Sequence, residues 1–353
     1  MPDLKLTTFN AEWMYPFFEK RKAKILESFP GAKLGPIKLE PIAKVKGLCN
    51  RMGKMIRKLG ADVIAVEEGP QLKTQMELFV NDYLDDQYQV FTQSERTQNI
   101  HILVKKGGWN AQQFDYDGPK MDILRKNFYY YPWGEYKLEK RKPGRIYRTP
   151  VVVELSKHNK SIIVAAVHLK SKYSKLKTVD QWIKRKKTAV LDALNARQKL
   201  SAEIWKMRLF VKERLGSSLG NQPLVIMGDF NDGPFADAME MEFLIHNIID
   251  EIQGSLLEPE LRMYHTMSSE MISSSYSTRF EDPFSEGHMV TTLIDHIFVS
   301  RGIAEKTSPV SIKDGSAMVE HAVYDAHCDE TATTRGRELR PSDHIPVSVT
   351  LFV

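Results

Sequence analysis

The chain has 353 residues, of which 42% are hydrophobic, 10% aromatic and 27% charged, enough apolar material for a large soluble core. No apolar run approaches the roughly 20 residues needed to cross a bilayer, and two cysteines, Cys49 and Cys328, are too few for a disulfide framework. The start lacks a basic segment, an apolar core and a small-residue cleavage site, so the expectation is a cytoplasmic protein, a trimmed secreted chain being the alternative. The net charge of +5 is uneven: residues 170–215 hold fourteen Lys and Arg against four acids, or +10, leaving about −5 for the rest. Such a segment is either a solvated helix face or a patch for a polyanion.

The opening strand ends in Asn10. The aromatic stretch 13–18 that follows either packs down as local core or offers rings to bases. Leu48, Met52, Met55, Ile56 and Leu59 predict a helix that Gly60 stops. A strand over 62–66 then delivers Glu67 and Glu68, and strands over 88–92 and 100–104 form a meander closed by Gly107-Gly108. An aromatic and basic stretch over 129–148 leads through Arg148-Thr149-Pro150 into a strand over 151–155. The strand over 161–169 delivers His168. Val179, Ile183, Val190, Leu194, Ile204, Met207, Val211 and Leu215 predict one apolar helical stripe with lysines outward.

Residues 224–234, Leu-Val-Ile-Met-Gly-Asp-Phe-Asn-Asp-Gly-Pro, read as a buried strand opening into a turn. Asp229 and Asn231 share one side of an extended chain, at a strand end of the kind that handles ligands in α/β sheets; an Asx-turn holding the corner is the bland alternative. A short helix over 236–245 follows, and Asp295 lies inside an apolar strand. A loop is predicted over 309–339, and Ser342-Asp343-His344 precedes the last strand. His327-Cys328-Asp329-Glu330 has no convincing metal-ligand spacing. With no internal repeat or low-complexity linker, one domain over 1–353 is expected, with a basic helical insertion around 170–215.

The order Asn10, Glu68, His168, Asp229-x-Asn231, Asp295 and Ser342-Asp343-His344 resembles the endonuclease/exonuclease/phosphatase superfamily, metal-dependent phosphoesterases that include pancreatic-type deoxyribonucleases and exonuclease-III-like repair nucleases. The resemblance runs from residue 4 to residue 353. It implies a four-layer α/β sandwich, with two mixed β-sheets packed face to face and helices outside. It also implies a metal held by Glu68 with Asn10 and Asp343, directly or through its waters. Oxygen ligands suit Mg²⁺, with Mn²⁺ a possible substitute. By the same resemblance Asp229 and Asn231 position the nucleophile and the scissile phosphate, and His344 is the general base. Asp295 would fix its tautomer and His168 would donate to a phosphate oxygen or the leaving group. Arg148 would contact phosphate, or else merely flanks Pro150.

Two departures bear on substrate. Glu67 stands where the family often has Gln, so a second carboxylate would crowd the metal or recruit another. Ile-Asp-His-Ile and Gly-Asp-Phe-Asn-Asp-Gly replace the Trp-Cys-Asp-Arg and Gly-Asp-Leu-Asn-x-Arg signatures of inositol-polyphosphate phosphatases. The expectation is therefore a monomeric Mg²⁺-dependent nuclease acting on DNA or RNA, away from membranes, with Lys170, Lys184, Arg185, Lys186 and Lys187 tracking the polymer. The alternatives are a phosphodiesterase on an inositol phosphate or phospholipid headgroup, and a non-catalytic nucleic-acid-binding protein of the same fold.

Overall fold

Successive side chains of a strand face opposite ways, and several strands of this chain are apolar on both faces. Val151, Val153, Ile162, Val164, Val225 and Met227 enter one core, while Val152, Ile163, Ala165, Leu224 and Ile226 enter another. A sheet apolar on both faces has to be covered on both. The computed structural model describes residues 3–34, 37–132, 140–216, 221–243, 245–282, 284–286, 288–331, 334 and 336–353. In it, one face of this sheet packs on a second sheet and the other lies under the helix Lys187–Gly216, which contributes Leu200, Ile204, Met207, Phe210 and Leu215.

The first sheet runs Ser311–Ile312, Val347–Phe352, Asp3–Asn10, Val63–Gly69, Asn99–Lys105 and Tyr88–Thr92, with Met318–Val319 also on Val347–Phe352. The second runs Met263–His265, Asp295–Ser300, Leu224–Asp229, Lys160–His168, Val151–Lys157 and Asn110–Gln113. Each sheet has one parallel pair, Asp3–Asn10 with Val63–Gly69 and Lys160–His168 with Leu224–Asp229, among antiparallel neighbours. The register sets Asn10 opposite Glu67, His168 opposite Asp229, and Asp229 opposite Asp295. The polar strand ends thus collect at one edge of the sandwich. Helix Val45–Leu59 buries Leu48, Met52 and Ile56, with Gly60 left-handed at its end, as the spacing predicts.

Other expectations change. The apolar stripe does not run as one helix: Val179–Ile183 is separate from Lys187–Gly216, and Ile183 is 69% exposed. Arg185 between them has φ 48, a left-handed turn that resets the helical count. Nor do the long helix's charges all face outward, since Arg197, Glu203 and Lys206 are buried. The region 309–339 is more ordered than a loop, because Ser311–Ile312 and Met318–Val319 pair with the last strand and His321–Asp325 is helical. Phe17 and Phe18 belong to the core, whereas Trp13 stays half-buried. His327 bonds the Val323 carbonyl, Asp329 pairs with Arg51 and Glu330 with Arg340, so these side chains are committed to packing. Residues 133–139 of the aromatic and basic stretch lie outside the described residues.

Gly228 is the tightest point of the second sheet. Its φ is +149, and a Cβ there would lie 1.9 Å from the Val167 carbonyl oxygen, a backbone atom that cannot step aside. Gly228→Ala is expected to cost roughly 3 kcal/mol or more. A urea midpoint close to wild type would contradict this geometry.

His101 is fully buried, with Nε2 on the Pro70 carbonyl 2.9 Å away and Nδ1 on the Thr92 hydroxyl. Burial lowers its pKa from 6.5 to about 4. The unfolded chain therefore binds a proton before the fold does, and this contribution to stability is lost as pH falls through that window. The urea midpoint of the wild type, measured against a His101→Gln variant, should fall between pH 6.5 and about 4. Parallel curves would mean that the ring is not held neutral.

Candidate active site

The ends of the paired strands supply the chemistry. Asp229 accepts a hydrogen bond from the Asn231 amide (2.7 Å) on one oxygen and from Asn10 Nδ2 (2.9 Å) on the other. The first closes an Asx-turn that leads into the Asp-Gly-Pro corner, so the same carboxylate holds this turn and lines the cleft described below. Asn10 uses its other end as well, accepting from the Glu12 amide at 3.0 Å. Asn231 donates to the Leu169 carbonyl at 3.0 Å.

Asp295, buried at the start of its strand, lies 2.7 Å from His344 Nδ1. Ser342 explains how the last motif reaches it. Its hydroxyl donates to the Asn10 carbonyl (2.6 Å) and accepts from the His344 amide (3.0 Å), clipping the imidazole onto the end of the first strand. Glu68 is held by Gln98 Nε2 at 2.7 Å and the Trp13 amide at 3.0 Å. His168 Nε2 lies 3.4 Å from Asp229 and 3.8 Å from Glu68, and its buried Nδ1 has no hydrogen-bond partner among the described residues. Glu68 (φ 53) and Asn231 (φ 55) are both left-handed, a strain that non-glycine residues keep only where the surroundings impose it.

The electrostatics follow from dryness. Burial and the neighbouring Asp343 push the Glu68 carboxyl up to about 8. Burial and Asp295 raise Asp229. Burial lowers His168 well below the ordinary histidine range, helped by Arg148 and His344, so it is neutral. For His344 burial acts in the same direction but is outweighed by Asp295, Asp343 and Asp229, which hold it well above that range. Two histidines whose proton affinities are pushed in opposite directions thus share one site.

These groups open on a cleft of about 1300 Å³. Asn10, Glu68, Arg148, His168, Asp229 and Asn231 line it, as do Lys170, Asp343 and His344. Asp295 lies behind His344. Arg148 donates from Nε to the His168 carbonyl (2.9 Å), from Nη1 to Gln98 (3.0 Å) and from Nη2 to the Leu169 carbonyl. Three of its five N–H groups are thereby used, leaving two without a partner among the described residues. Glu67 does not crowd the site. It is fully buried on Thr8, away from the cleft lining, with burial and Asp295 raising its carboxyl far above the ordinary range. The bulged stretch between Val66 and Gly69 separates it from its neighbour.

Lys184, Arg185, Lys186 and Lys187 are absent from the lining. Lys184 pairs with Asp180 at 2.6 Å, and Arg185 pairs with Glu242 and stacks on Trp182. Gln98, which joins Glu68 to Arg148, and Lys172, which pairs with Asp232 and Glu240 beneath the Asp-Gly-Pro corner, belong to none of the sequence motifs. Lys172 was visible in Lys170-Ser171-Lys172; Gln98 left no local signal.

The sequence pattern of the Endonuclease/Exonuclease/phosphatase family matches residues 49–344. No curated protein sequence matches. Among solved structures, TDP2 from C. elegans aligns over 99% of this chain and 75% of its own at 13% identity, with a TM-score of 0.51. The human Nocturnin catalytic domain with bound sulfate anion aligns over 99% and 94% at 12% identity, with a TM-score of 0.50. At such identities the likeness is one of fold, while the sequence pattern spans most of the chain: the protein belongs to the Endonuclease/Exonuclease/phosphatase family.

Proposed function

We propose that this protein is a Mg²⁺-dependent phosphodiesterase that cleaves nucleic acid. The observation that carries the reading is the Asp295–His344 pair at 2.7 Å, set in one cleft with a neutral second histidine and the Asp229 carboxylate. Glu68 and Asp343 fit a divalent cation. They are oxygen donors, and Asp343 presses the buried Glu68 towards its neutral form, a conflict that a cation relieves. Asp229, Asp295 and His344 also come within 4.8 Å of one another. Their contacts with each other and with Asn10 and Asn231 leave them less available, whereas Asp343 is exposed. A cation held there neutralises charge on the phosphoryl oxygens.

The remaining steps belong to side chains of this chain. His344 in its neutral form, with Nδ1 held by Asp295, accepts at Nε2 the proton that the water loses as it attacks phosphorus, and Asp295 stabilises the imidazolium that forms. Asp229, oriented by Asn10 and Asn231, positions that water and the phosphate. His168 and the two spare N–H groups of Arg148 donate to phosphate oxygens or to the leaving oxygen.

His344→Ala and Asp229→Ala are each expected to lower kcat by roughly 10²- to 10⁴-fold, with circular dichroism unchanged. Plasmid, single-stranded DNA, RNA and inositol phosphates are the substrates to compare. Turnover near wild type in either folded variant would sink the assignment, and hydrolysis of inositol phosphates alone would move it to the small-phosphoester reading.

EDTA should stop the reaction, and Mg²⁺ or Mn²⁺ restore it. In a metal titration Glu68→Gln should raise the half-saturating concentration more than Glu67→Gln does. The reverse order would mean that Glu67, not Glu68, faces the metal.

A further inference from the structure

One wall of the cleft carries more positive charge than the chemistry at its centre uses. The guanidinium carbons of Arg96, Arg145 and Arg148 lie 5.4, 5.7 and 5.9 Å from the centre of the Tyr147 ring. Tyr147 is 46% exposed and lines the cleft beside Arg145 and Arg148, whereas Arg96 is outside the lining and reaches this wall through the Tyr147 ring. Like charges gathered this closely repel one another unless acids are interspersed. Among the described residues, Arg96 and Arg145 have no carboxylate at ion-pair distance and donate no hydrogen bond; their contact is the ring. One acid of this wall, Glu203, already accepts the Tyr147 amide at 3.0 Å and the Lys170 amide at 2.7 Å.

The His344 side of the cleft is different. There Thr278 bridges to His344, and Phe280, two residues further on, is 44% exposed; elsewhere in the lining Phe235, just past the Asp-Gly-Pro corner, is 65% exposed. Both rings line the cleft. Uncommitted guanidinium groups match phosphate oxygens in a fork. Exposed ring faces match unpaired bases, because a base within a duplex has its faces covered by its neighbours.

We propose that Arg96, Arg145 and Tyr147 form a subsite for the phosphate and base of the nucleotide adjoining the cleaved bond, so that the substrate is single-stranded at that point. This rests on the phosphodiesterase reading above. An inositol bisphosphate offers the same second phosphate without a base, so the experiment separates the two sources.

The test uses the full chain and the Arg96→Gln/Arg145→Gln and Tyr147→Leu variants. The wild type should cleave a trinucleotide with kcat/KM about tenfold or more above a dinucleotide. That gain, expressed against each variant's own hydrolysis of bis(p-nitrophenyl) phosphate, should disappear in the double variant and shrink in Tyr147→Leu. An undiminished gain in the double variant overturns the subsite. An inositol bisphosphate preferred over the trinucleotide overturns its nucleotide identity. Binding is read separately in a His344→Ala background, by fluorescence anisotropy of oligothymidylate. The double substitution should flatten the log-log salt slope by about 0.7 for each phosphate no longer neutralised, and a duplex should bind more weakly than the single strand. Identical slopes, or equal binding of duplex, overturn the proposal. If the wild type cleaves none of these substrates the catalytic reading fails, while the binding arm still decides the subsite.

Discussion

Burying carboxylates at the seam between two sheets is the constraint that shapes the rest of this molecule. Asp229, Asp295 and Glu67 are each no more than 2% exposed, and Asp295 raises the proton affinity of both of the others. An isolated buried charge is strongly unfavourable, so such groups persist only when fixed donors surround them or a proton neutralises them. Both solutions appear here. Asn10, the Asn231 amide and the His344 ring supply donors, while Glu67, accepting from the Thr8 hydroxyl, is held in its neutral form.

Those donors have to be rigid, and the fold makes them so through connections distant in sequence. Ser342 ties the His344 loop to the end of the first strand. His265 and His296, 3.0 Å apart, extend a chain of hydrogen bonds from the Met267 amide to the Asp232 carbonyl at the Asp-Gly-Pro corner. On the other side of that corner Lys172 gathers Asp232, Asp237 and Glu240, and Arg197 of the long helix joins them. Buried networks of this kind contribute specificity of position more dependably than net stability. The corner carrying Asp229 and Asn231 is therefore held from the helix layer as well as from within its own sheet.

The cleft above this centre is asymmetric. The His168 side presents guanidinium groups around an exposed tyrosine, and the His344 side presents the exposed Phe280. The basic residues Lys184, Arg185, Lys186 and Lys187, the most conspicuous charges in the sequence, stand outside this arrangement.

What the sequence determined by itself was local. An apolar run ending in a polar residue marks a buried strand and its outlet, and six such outlets in a family's order were enough to name the fold and to nominate Glu68, His168, Asp229, Asp295 and His344 as candidates. Hydrophobic period reports burial within one element, and there it succeeded: helix Val45–Leu59 and the meander Tyr88–Thr92 with Asn99–Lys105 lie where the spacing put them. Tertiary structure decided everything that depends on direction or on distant partners. The bulge after Val66 sets which of two adjacent glutamates meets the cleft, and the left-handed Arg185 turns a continuous stripe into two helices. Gln98 meets Arg148, and Arg96 meets Tyr147, only because the strands bring them together across about fifty residues of chain. A backbone turn at one residue or a pairing between remote ones leaves no periodicity to read, because its cause is the packing of other elements around it.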